Sequence, residues 1–314
     1  MFEHVKLARP DLAIDPVHDG RHKLGERAHG RESIPYLVNL PDEKIAFFTY
    51  FWVNQDGTSG AALAIFGPGV GPEPIQQRIA DKPVPADMDF SDWKLDGYEM
   101  QQDLKFGTAH IRWVHPQATV DFTFEGFHPP YAYGSNKNGC PPYAATNRIE
   151  QSGRCVGTLT LGDRVIAFDT TGHRDHSWGT RDWKAFQNYR WFIGQAGTDV
   201  SVHFWHLHAL GRTDVRGYVF KDGLMAEVTD VSVDWQGDAE YWHTAWDATV
   251  KDEAGRTTQI HMDVHSHYRL VPDPAIALNE AAARGTIDGK LGVGWMEMAW
   301  PSDYLAHIVA NSPY

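Results

Sequence analysis

Short stretches rich in β-branched and aromatic residues recur along the chain and are separated by turn-forming residues. In residues 118–126 apolar and polar side chains alternate, which is typical of a strand with one buried face. Residues 44–53 and 60–67 flank the turn sequence NQDG, as in a β-hairpin. The pattern therefore predicts an all-β fold of antiparallel strands, as in a sandwich or a barrel.

One stretch near the C-terminus departs from this strand pattern. Residues 274–285, PAIALNEAAARG, follow an aspartate, continue through several alanines and end at Gly285. An acidic residue before the first turn and a glycine after the last one are typical of helix ends. We therefore predict one short helix, over residues 274–285, in an otherwise all-β chain.

A change in composition divides the strand pattern into two halves. Residues 128–148 are rich in Pro, Gly, Asn and Tyr, and strand-like stretches resume directly after them. A chain of 314 residues is long enough for one large or two ordinary domains. We predict an N-terminal β-domain over residues 1–147 and a C-terminal β-domain over residues 148–314, joined by this stretch as a linker. The alternative is a lid that supplies its tyrosines to a binding site.

Composition and charge narrow the classes of partner. The formal net charge is −13, from 28 Lys and Arg against 41 Asp and Glu, and such a surface repels nucleic acids and anionic membranes. An apolar or neutral ligand fits this charge better than an acidic one, and the 12 Trp, 12 Tyr and 15 Phe favour many short strands. Only Cys140 and Cys155 are present, so a disulfide framework is excluded, although a single bridge stays open.

Neither the amino end nor the apolar runs carry a targeting or membrane-spanning signal. The first residues, MFEHVKLARPDLAI, have no apolar core followed by a small-residue cleavage site. No apolar run reaches the length that a membrane-spanning helix needs. We therefore expect a cytoplasmic protein without membrane insertion, and its oligomeric state stays open, with a homodimer as one option.

The densest cluster of chemically active residues lies in residues 170–191, TTGHRDHSWGTRDWKAFQNYRW. In a strand the side chains alternate, which places His173 and Asp175 on one face and His176 and Trp178 on the other. Both faces then carry polar groups, so neither is a plain core face. These residues form either a structural ion-pair network around Asp175 or a reactive site.

The sequence GHRDHSWGTRDW in this stretch, with GVGWMEMAW in residues 292–300, resembles the superfamily of carotenoid 1,2-hydratase (hydroxyneurosporene synthase) and AttH-like proteins. The upstream residues that take part in the resemblance are Arg148, Glu150, Gln151 and Gly153. The resemblance implies two tandem lipocalin-like antiparallel β-barrel or sandwich domains, with the motif in the second. In the hydratases the aspartate of the matching Gly-x-x-Asp-His-x-Trp-Gly pattern is proposed as the proton donor, which implies that role for Asp175.

Protonation of an alkene needs a strong proton donor and a group that stabilises the resulting carbocation. If Asp175 lies in an aromatic cavity without water, the loss of solvation raises its pKa and keeps it protonated. Tryptophan faces attract a cation with about 0.5–2 kcal/mol each. The opposing case is a nearby arginine, Arg174 or Arg181, that keeps Asp175 ionised.

Glu297 is a second candidate, because it shares one face of the strand pattern GVGWMEMAW with Trp295. A carboxylate on an apolar strand face is costly unless it meets a cation such as Arg181 or lines a cavity. The predicted catalytic residues are therefore Asp175, His176, Glu297 and Arg181. The predicted substrate-binding residues are His173, Trp178, Trp183, Tyr189, Trp191, His206 and Trp295.

From these residues and the resemblance we expect acid-catalysed hydration, or a related cyclisation or isomerisation, of an unsaturated hydrophobic substrate such as an isoprenoid or a polycyclic. A non-catalytic carrier for hydrophobic molecules is the first alternative. The second is a metal enzyme that uses His206 and His208 with a histidine-rich face at residues 261–267. We expect no metal and no cofactor, because no HExxH, GxGxxG, P-loop or GxSxG motif is present.

Overall fold

A computed structural model describes residues 2–312, in which twenty strands form two large, mainly antiparallel sheets. The strands are β1 (Lys6–Leu7), β2 (Arg31–Leu40), β3 (Ile45–Asn54), β4 (Thr58–Phe66), β5 (Ile75–Pro83), β6 (Trp93–Leu95), β7 (Tyr98–Gln102), β8 (Thr108–His115), β9 (Ala118–Gly126), β10 (Tyr131–Ala132), β11 (Asn147–Leu161), β12 (Arg164–Gly179), β13 (Phe186–Gln195), β14 (Ser201–Ala209), β15 (Arg212–Lys221), β16 (Leu224–Gly237), β17 (His243–Asp252), β18 (Thr257–Asp273), β19 (Ile276–Ile287) and β20 (Lys290–Pro301). One α-helix, α1, spans Ser302–Ala310, and five short 3₁₀ helices span Pro10–Leu12, Pro16–Asp19, Pro41–Glu43, Tyr133–Ser135 and Trp183–Ala185. No helix of the described residues is long and apolar enough to cross a membrane.

Sheet I contains strands β2 to β12 and curves around one apolar core. Its strand order is β5-β4-β3-β2-β12-β11-β9-β8-β7-β6, and β10 pairs with β11. Successive side chains of a strand point to opposite faces of the sheet, so alternate residues enter this core. Large side chains of the core include Phe47, Phe51, Trp93, Tyr98, Trp113 and Phe122.

Sheet II contains strands β13 to β20 and closes into a barrel. The ring closes because β13 pairs with both β14 and β20, while β16 pairs with both β15 and β17. Strand β1 of the N-terminal arm adds to β16 in the parallel orientation. The barrel interior is filled by Phe192, Phe204, Trp246, Met262 and Met296.

The two sheets pack against each other through their outer faces. An apolar cluster between them joins Phe48 and Phe66 of sheet I to Trp191, Trp205 and Trp295 of sheet II. The rings of Phe66 and Trp295 meet edge to face, with their centroids 5.4 Å apart. Apolar surface is therefore buried inside each sheet and also between the sheets, which adds hydrophobic stabilisation to their association.

The predicted fold class is confirmed: the protein is all-β, with two lipocalin-like β-units and one short helix near the C-terminus. The helix was predicted at the wrong position, because residues 274–285 form most of strand β19. Ala281 and Ala283 are fully buried in this strand, and a Cβ atom at Gly285 would lie 1.9 Å from the carbonyl oxygen of His261. The small residues permit close packing between β18 and β20, and this tertiary constraint overrides their helix propensity.

The stretch that was expected to link two domains lies between the sheets. Tyr131 and Tyr133 in this stretch are fully buried, and Cys140 is a free thiol, as is Cys155 in β11. Strands β9 and β11, on either side of it, pair with each other in sheet I. The change from sheet I to sheet II comes later, between β12 and β13. The division into domains at residues 1–147 and 148–314 stays a prediction.

The N-terminal arm, residues 2–30, is attached to both sheets. Near its start β1 pairs with β16, and Arg9 forms an ion pair with Glu227 of that strand at 2.5 Å. Further along, Asp19 accepts a hydrogen bond from Nη2 of Arg174 at 2.7 Å inside sheet I. Asp19 and Arg174 are both buried. A buried ion pair therefore fastens the arm to the interior of sheet I.

Replacing Asp19 by alanine tests this attachment. The change leaves the Arg174 guanidinium buried without a counter-ion, so we expect Asp19→Ala to lower the free energy of unfolding by about 3–5 kcal/mol. Urea-induced unfolding followed by tryptophan fluorescence measures the difference. Asp11→Ala removes an exposed carboxylate of the same arm and should change the free energy by less than about 0.5 kcal/mol. Equal effects of the two changes would contradict the prediction.

Candidate active site

The pairing of β11 with β12 brings the motif residues into two separate environments. Cross-strand neighbours include Glu150 with Asp175 and Ser152 with His173. His173 and Asp175 face sheet II, whereas Arg174 and His176 face the interior of sheet I, because strand side chains alternate. The predicted alternation is confirmed.

Asp175 belongs to a buried ion-pair cluster between the two sheets. Its Oδ2 atom accepts a hydrogen bond from Nη2 of Arg148 at 2.7 Å. The same guanidinium donates through Nε to Oε1 of Glu150 at 2.5 Å. Tyr133 and Trp191 also donate to Oε1 of Glu150, at 2.9 and 3.0 Å. One cation therefore contacts two carboxyl groups, and one of those groups is surrounded by donors.

Aromatic rings enclose the Arg148 guanidinium. Its central carbon lies 5.1 Å from the ring centre of Trp205, 5.5 Å from that of Trp191 and 6.0 Å from that of Tyr133. These distances are in the range of cation–π attraction. Trp191, one of the tryptophans predicted to bind the substrate, thus already contacts a cation of the protein itself.

Hydrogen bonds continue from Glu150 into the middle of the interface. Oε2 of Glu150 lies 2.8 Å from Nε2 of His173, whose Nδ1 lies 2.9 Å from Oγ of Ser152. Nε2 of His203 lies 2.8 Å from the hydroxyl of Tyr133. His203 is also bonded through Nδ1 to a backbone carbonyl, and burial lowers its pKa to about 3, so this imidazole is neutral. Arg148, Glu150, His173, Asp175, His203 and Tyr133 are called the interface cluster below.

The charges in the interface cluster favour a protonated Asp175. Burial raises the pKa of Asp175 to about 7, and Glu150 acts in the same direction, against the opposing effect of Arg148. Burial also disfavours charge on Glu150, but the Arg148 guanidinium and the hydrogen bond with His173 outweigh it and hold the pKa of Glu150 below its usual range. A single buried guanidinium balances one carboxylate, and a second buried negative charge is costly. Asp175 is therefore the group that keeps a proton more readily.

A second carboxyl pair lies across the interface, on sheet II. Glu280 and Glu297 are neighbours on β19 and β20, Tyr189 donates a hydrogen bond to Glu297, and Nε1 of Trp295 donates to Glu280 at 2.7 Å. Burial and the adjacent Glu297 raise the pKa of Glu280 well above its ordinary value. The charges of Glu297 and Arg181 also act on Asp175. The two carboxyl groups of this pair are therefore part of the electrostatic environment of Asp175.

A half-buried row of side chains leads from Asp175 towards the edge of sheet I. Arg174 pairs with Tyr36, which sets Asp175 beside Pro35, and Pro35 pairs with Tyr50. Pro35 and Tyr50 are both half-buried, whereas Asp175 itself is buried. Pro35 and Tyr50 are therefore partly exposed positions in the same cross-strand row as Asp175, on the face that meets sheet II.

Most of the predicted site residues share the interface face. The side chains on that face are His173, Asp175, Trp183, Tyr189, Trp191, Trp295 and Glu297. Arg181 lies beside Trp183, with its guanidinium carbon 4.9 Å from the ring centre, and donates to the carbonyl oxygen of Ala144 at 3.0 Å. The structure therefore brings together residues that the sequence places more than a hundred positions apart.

Three predicted residues lie elsewhere. His176 and Trp178 point into sheet I, so the expected contact between His176 and Asp175 is not formed; Nε2 of His176 instead lies 2.7 Å from Oε1 of Glu32. His206 stands on β14 next to His208, with ring centroids 4.8 Å apart, on the face opposite His203. The physical reason is the same in each case: neighbouring strand residues face opposite ways.

The histidines of the metal-enzyme alternative do not converge. His206 and His208 lie on β14, whereas His261 is exposed on β18 and pairs with Asp247. Nε2 of His265 lies 2.9 Å from the side-chain oxygen of Asn39. Within residues 2–312, close groups of three His, Cys, Asp or Glu ligands form at two other places, His22 with Glu32 and His176, and Glu150 with His173 and His203.

The residues that hold Asp175 are not among the predicted site residues. Arg148 and Glu150 take part in the resemblance only, Tyr133 belongs to the lid alternative, and His203 has no predicted role. The alternation of Arg148, Glu150 and Ser152 along β11 is a usable signal, because three polar residues at spacing two define a polar strand face. Nothing in the sequence indicates that this face meets another sheet.

Two surface pockets of the described residues lie away from Asp175. One pocket, of about 350 Å³, is lined by residues including Arg154, Thr170, Thr171, Gln195 and Arg284. Another, of about 580 Å³, is lined by arm residues and by residues 86–89. Asp175 lines neither of them. The aromatic cavity around Asp175 stays a prediction.

Comparison with known proteins places this fold and site in a family. Residues 15–302 match the model of a family described as a domain of unknown function, DUF7064. The chain belongs to the DUF7064 family. No curated protein matches the sequence. The match extends over the arm from residue 15 onwards, over strands β2 to β20 and over every residue of the interface cluster.

Solved structures share the fold at low sequence identity. A Nitrosomonas europaea protein, provisionally described as AttH, has 15% identity and a TM-score of 0.65, and the alignment covers 94% of this chain and 98% of that one. CghA in a structure with Sch210972 has 13% identity and a TM-score of 0.62, over 88% of this chain and 89% of that one. A further CghA structure has 12% identity and a TM-score of 0.60. The DUF7064 protein therefore has the fold of AttH-like proteins.

Replacing Glu280 by glutamine tests the carboxyl pair. The pKa of Glu280 is raised in the folded state, so the folded protein keeps a proton that the unfolded chain releases, and stability falls as pH rises above the ordinary carboxyl pKa. Each unit by which folding raises the pKa lowers the free energy of unfolding by about 1.4 kcal/mol, once the pH exceeds the pKa of the folded state. We expect Glu280→Gln to be more stable than wild type at pH 8 and to lose this advantage near pH 4. Urea-induced unfolding at both pH values measures it, with Glu99→Gln at an exposed position as the control. If the free energies of unfolding of wild type and Glu280→Gln differed by the same amount at both pH values, the prediction would be contradicted.

Proposed function

We propose that the protein is an enzyme for an unsaturated hydrophobic small molecule, such as an isoprenoid or a polycyclic, and that Asp175 is its proton donor. The reaction is hydration or a related cyclisation or isomerisation. The observation that carries the proposal is the buried Arg148 guanidinium that contacts both Asp175 and Glu150 but balances only one of them. The fold shared with CghA, which was crystallised with Sch210972, fits a role in ligand binding.

Protonation starts at the free oxygen of Asp175. Arg148 occupies Oδ2, which leaves Oδ1 to carry the proton. The π electrons of the substrate form a C–H bond with that proton, and a carbocation and the Asp175 carboxylate remain. The new negative charge lies beside Arg148, which stabilises charge as it develops in the transition state. The hydrogen bond between Arg148 and Asp175 thus also favours transfer of the proton from Asp175 to the substrate.

The second half of the reaction involves groups on sheet II. In hydration, water adds to the carbocation and loses a proton to a carboxylate, a role that we assign to Glu297. Tyr189 donates a hydrogen bond to Glu297 and fixes its orientation. In isomerisation, a neighbouring C–H bond returns its proton to the Asp175 carboxylate, and the double bond moves. The substrate approaches along Pro35 and Tyr50, where sheet I is only half-buried.

Asp175→Asn tests the proton-donor role. Asparagine keeps the shape of the side chain and an oxygen for Arg148 but cannot give up a proton to an alkene. We expect turnover to fall by at least about 100-fold while fold and ligand affinity stay nearly unchanged. Native mass spectrometry of purified protein identifies a co-purifying apolar ligand class, and turnover is then measured on compounds of that class.

Asp169→Asn is the matched control for this experiment. Asp169 lies on the same strand but is exposed, and it pairs with Arg154. Its replacement should leave turnover unchanged. Full activity in Asp175→Asn would remove Asp175 from the mechanism. Ligand binding without any product, equally in wild type and variant, would favour the non-catalytic carrier instead.

A further inference from the structure

Three metal-ligating side chains meet where the N-terminal arm enters sheet I. His22 comes from the arm, Glu32 from β2 and His176 from β12, and their ligand atoms all lie within 4.8 Å of one another. Nδ1 of His22 lies 2.6 Å from Oε1 of Glu32, and Nε2 of His176 lies 2.7 Å from the same oxygen. Two imidazole nitrogens and one carboxylate oxygen thus converge on one point. We call these residues the arm triad.

Glu32 has no permanent cation beside it. It is fully buried, and its ion-pair partners within residues 2–312 are the two histidines of the triad. It also accepts a hydrogen bond from the backbone N–H of His22 at 2.9 Å. A buried carboxylate is costly unless a positive charge accompanies it. Asp19, the other buried carboxylate at this end of sheet I, meets that requirement with Arg174.

The triad in the interface cluster provides a contrast. Glu150, His173 and His203 also lie within ligand distance of one another. Glu150 in that group already contacts the Arg148 guanidinium and accepts hydrogen bonds from Tyr133 and Trp191. A second cation there would be repelled by Arg148, whereas at Glu32 it would supply the missing charge. Both sites therefore consist of two histidines and one glutamate, but among the described residues only the glutamate of the arm triad lacks a neighbouring positive charge.

The surroundings of His22 suit a metal ligand. Nε2 of His22 lies 3.0 Å from Nδ1 of His18, so the nitrogen that faces away from Glu32 has a partner, as ligating histidines usually do. The Trp178 ring stacks on His22 with centroids 3.6 Å apart, which fixes the ring orientation. His22 also lines the pocket of about 580 Å³ together with Asp87 and Asp89. An ion thus has a route from solvent to the arm triad.

We propose that His22, Glu32 and His176 bind one divalent first-row transition-metal ion and that this ion fastens the arm to sheet I. Two imidazoles and one carboxylate are a ligand set of Zn²⁺ and Fe²⁺ sites, with water in the remaining positions. His176 projects from the face of β12 opposite Asp175. The ion is therefore structural and separate from the reaction proposed at the interface cluster.

Zinc binding tests the proposal directly. Protein freed of metal with a chelator is titrated with Zn²⁺ by isothermal calorimetry, and the stoichiometry is read by native mass spectrometry. We expect one Zn²⁺ per chain, and we expect His22→Ala and Glu32→Gln each to weaken binding by at least about 100-fold. His261→Ala removes an exposed histidine that also faces a carboxylate, Asp247, and should keep the site intact. Circular dichroism checks that each variant is folded. If Glu32→Gln does not fold, the comparison of wild type with His22→Ala alone decides the test.

Trypsin digestion measures whether the ion holds the arm. Lys23 and Arg27 are exposed cleavage sites next to His22. We expect Zn²⁺ to slow cleavage at these sites in wild type and to have no effect in His22→Ala. Absence of zinc binding in wild type, or equal binding in wild type, His22→Ala and Glu32→Gln, would overturn the proposal. Because the readouts are binding and cleavage, these outcomes are independent of whether Asp175 is catalytic.

Discussion

The antiparallel pairing of β11 with β12 is the constraint on which both polar clusters depend. These two strands are neighbours over fifteen cross-strand pairs, from Asn147 with Trp178 to Leu161 with Arg164. A shift of one residue in this register would exchange the two faces and move Asp175 into the core of sheet I. Each buried polar contact on either face requires a partner from a different part of the chain. Together these contacts therefore define one register of β11 against β12.

The interface between the sheets combines apolar packing with buried charge. Trp191 and Trp205 contribute to the apolar cluster and also contact the Arg148 guanidinium. Hydrogen bonds to Glu150 reach it from the stretch before β11 and from β13, so the carboxylate joins segments that are distant in sequence. Such networks cost free energy if one member is lost, which makes the relative position of the sheets specific rather than merely stable.

The sequence was sufficient to predict the all-β class, the alternation along the motif and several of the residues that lie on the interface face. It was not sufficient for the helix, because burial of Ala281 and Ala283 between strands decides against their helix propensity. His176 is separated from Asp175 because neighbouring residues of a strand face opposite ways, as the alternation itself predicts. The partners of Asp175 and Glu32 come from the pairing of distant strands and from the arm, and no local pattern contains that information.

The attachment of the arm has a consequence for the order of events during synthesis. Strand β1 leaves the ribosome long before its partner β16, in which Leu224 pairs with Lys6. At ordinary rates of translation this partner is made roughly 10–40 s after the arm. Sheet I can form earlier, because its strands end at Gly179. Strand β1 therefore reaches its place only after all the strands of sheet I have been made.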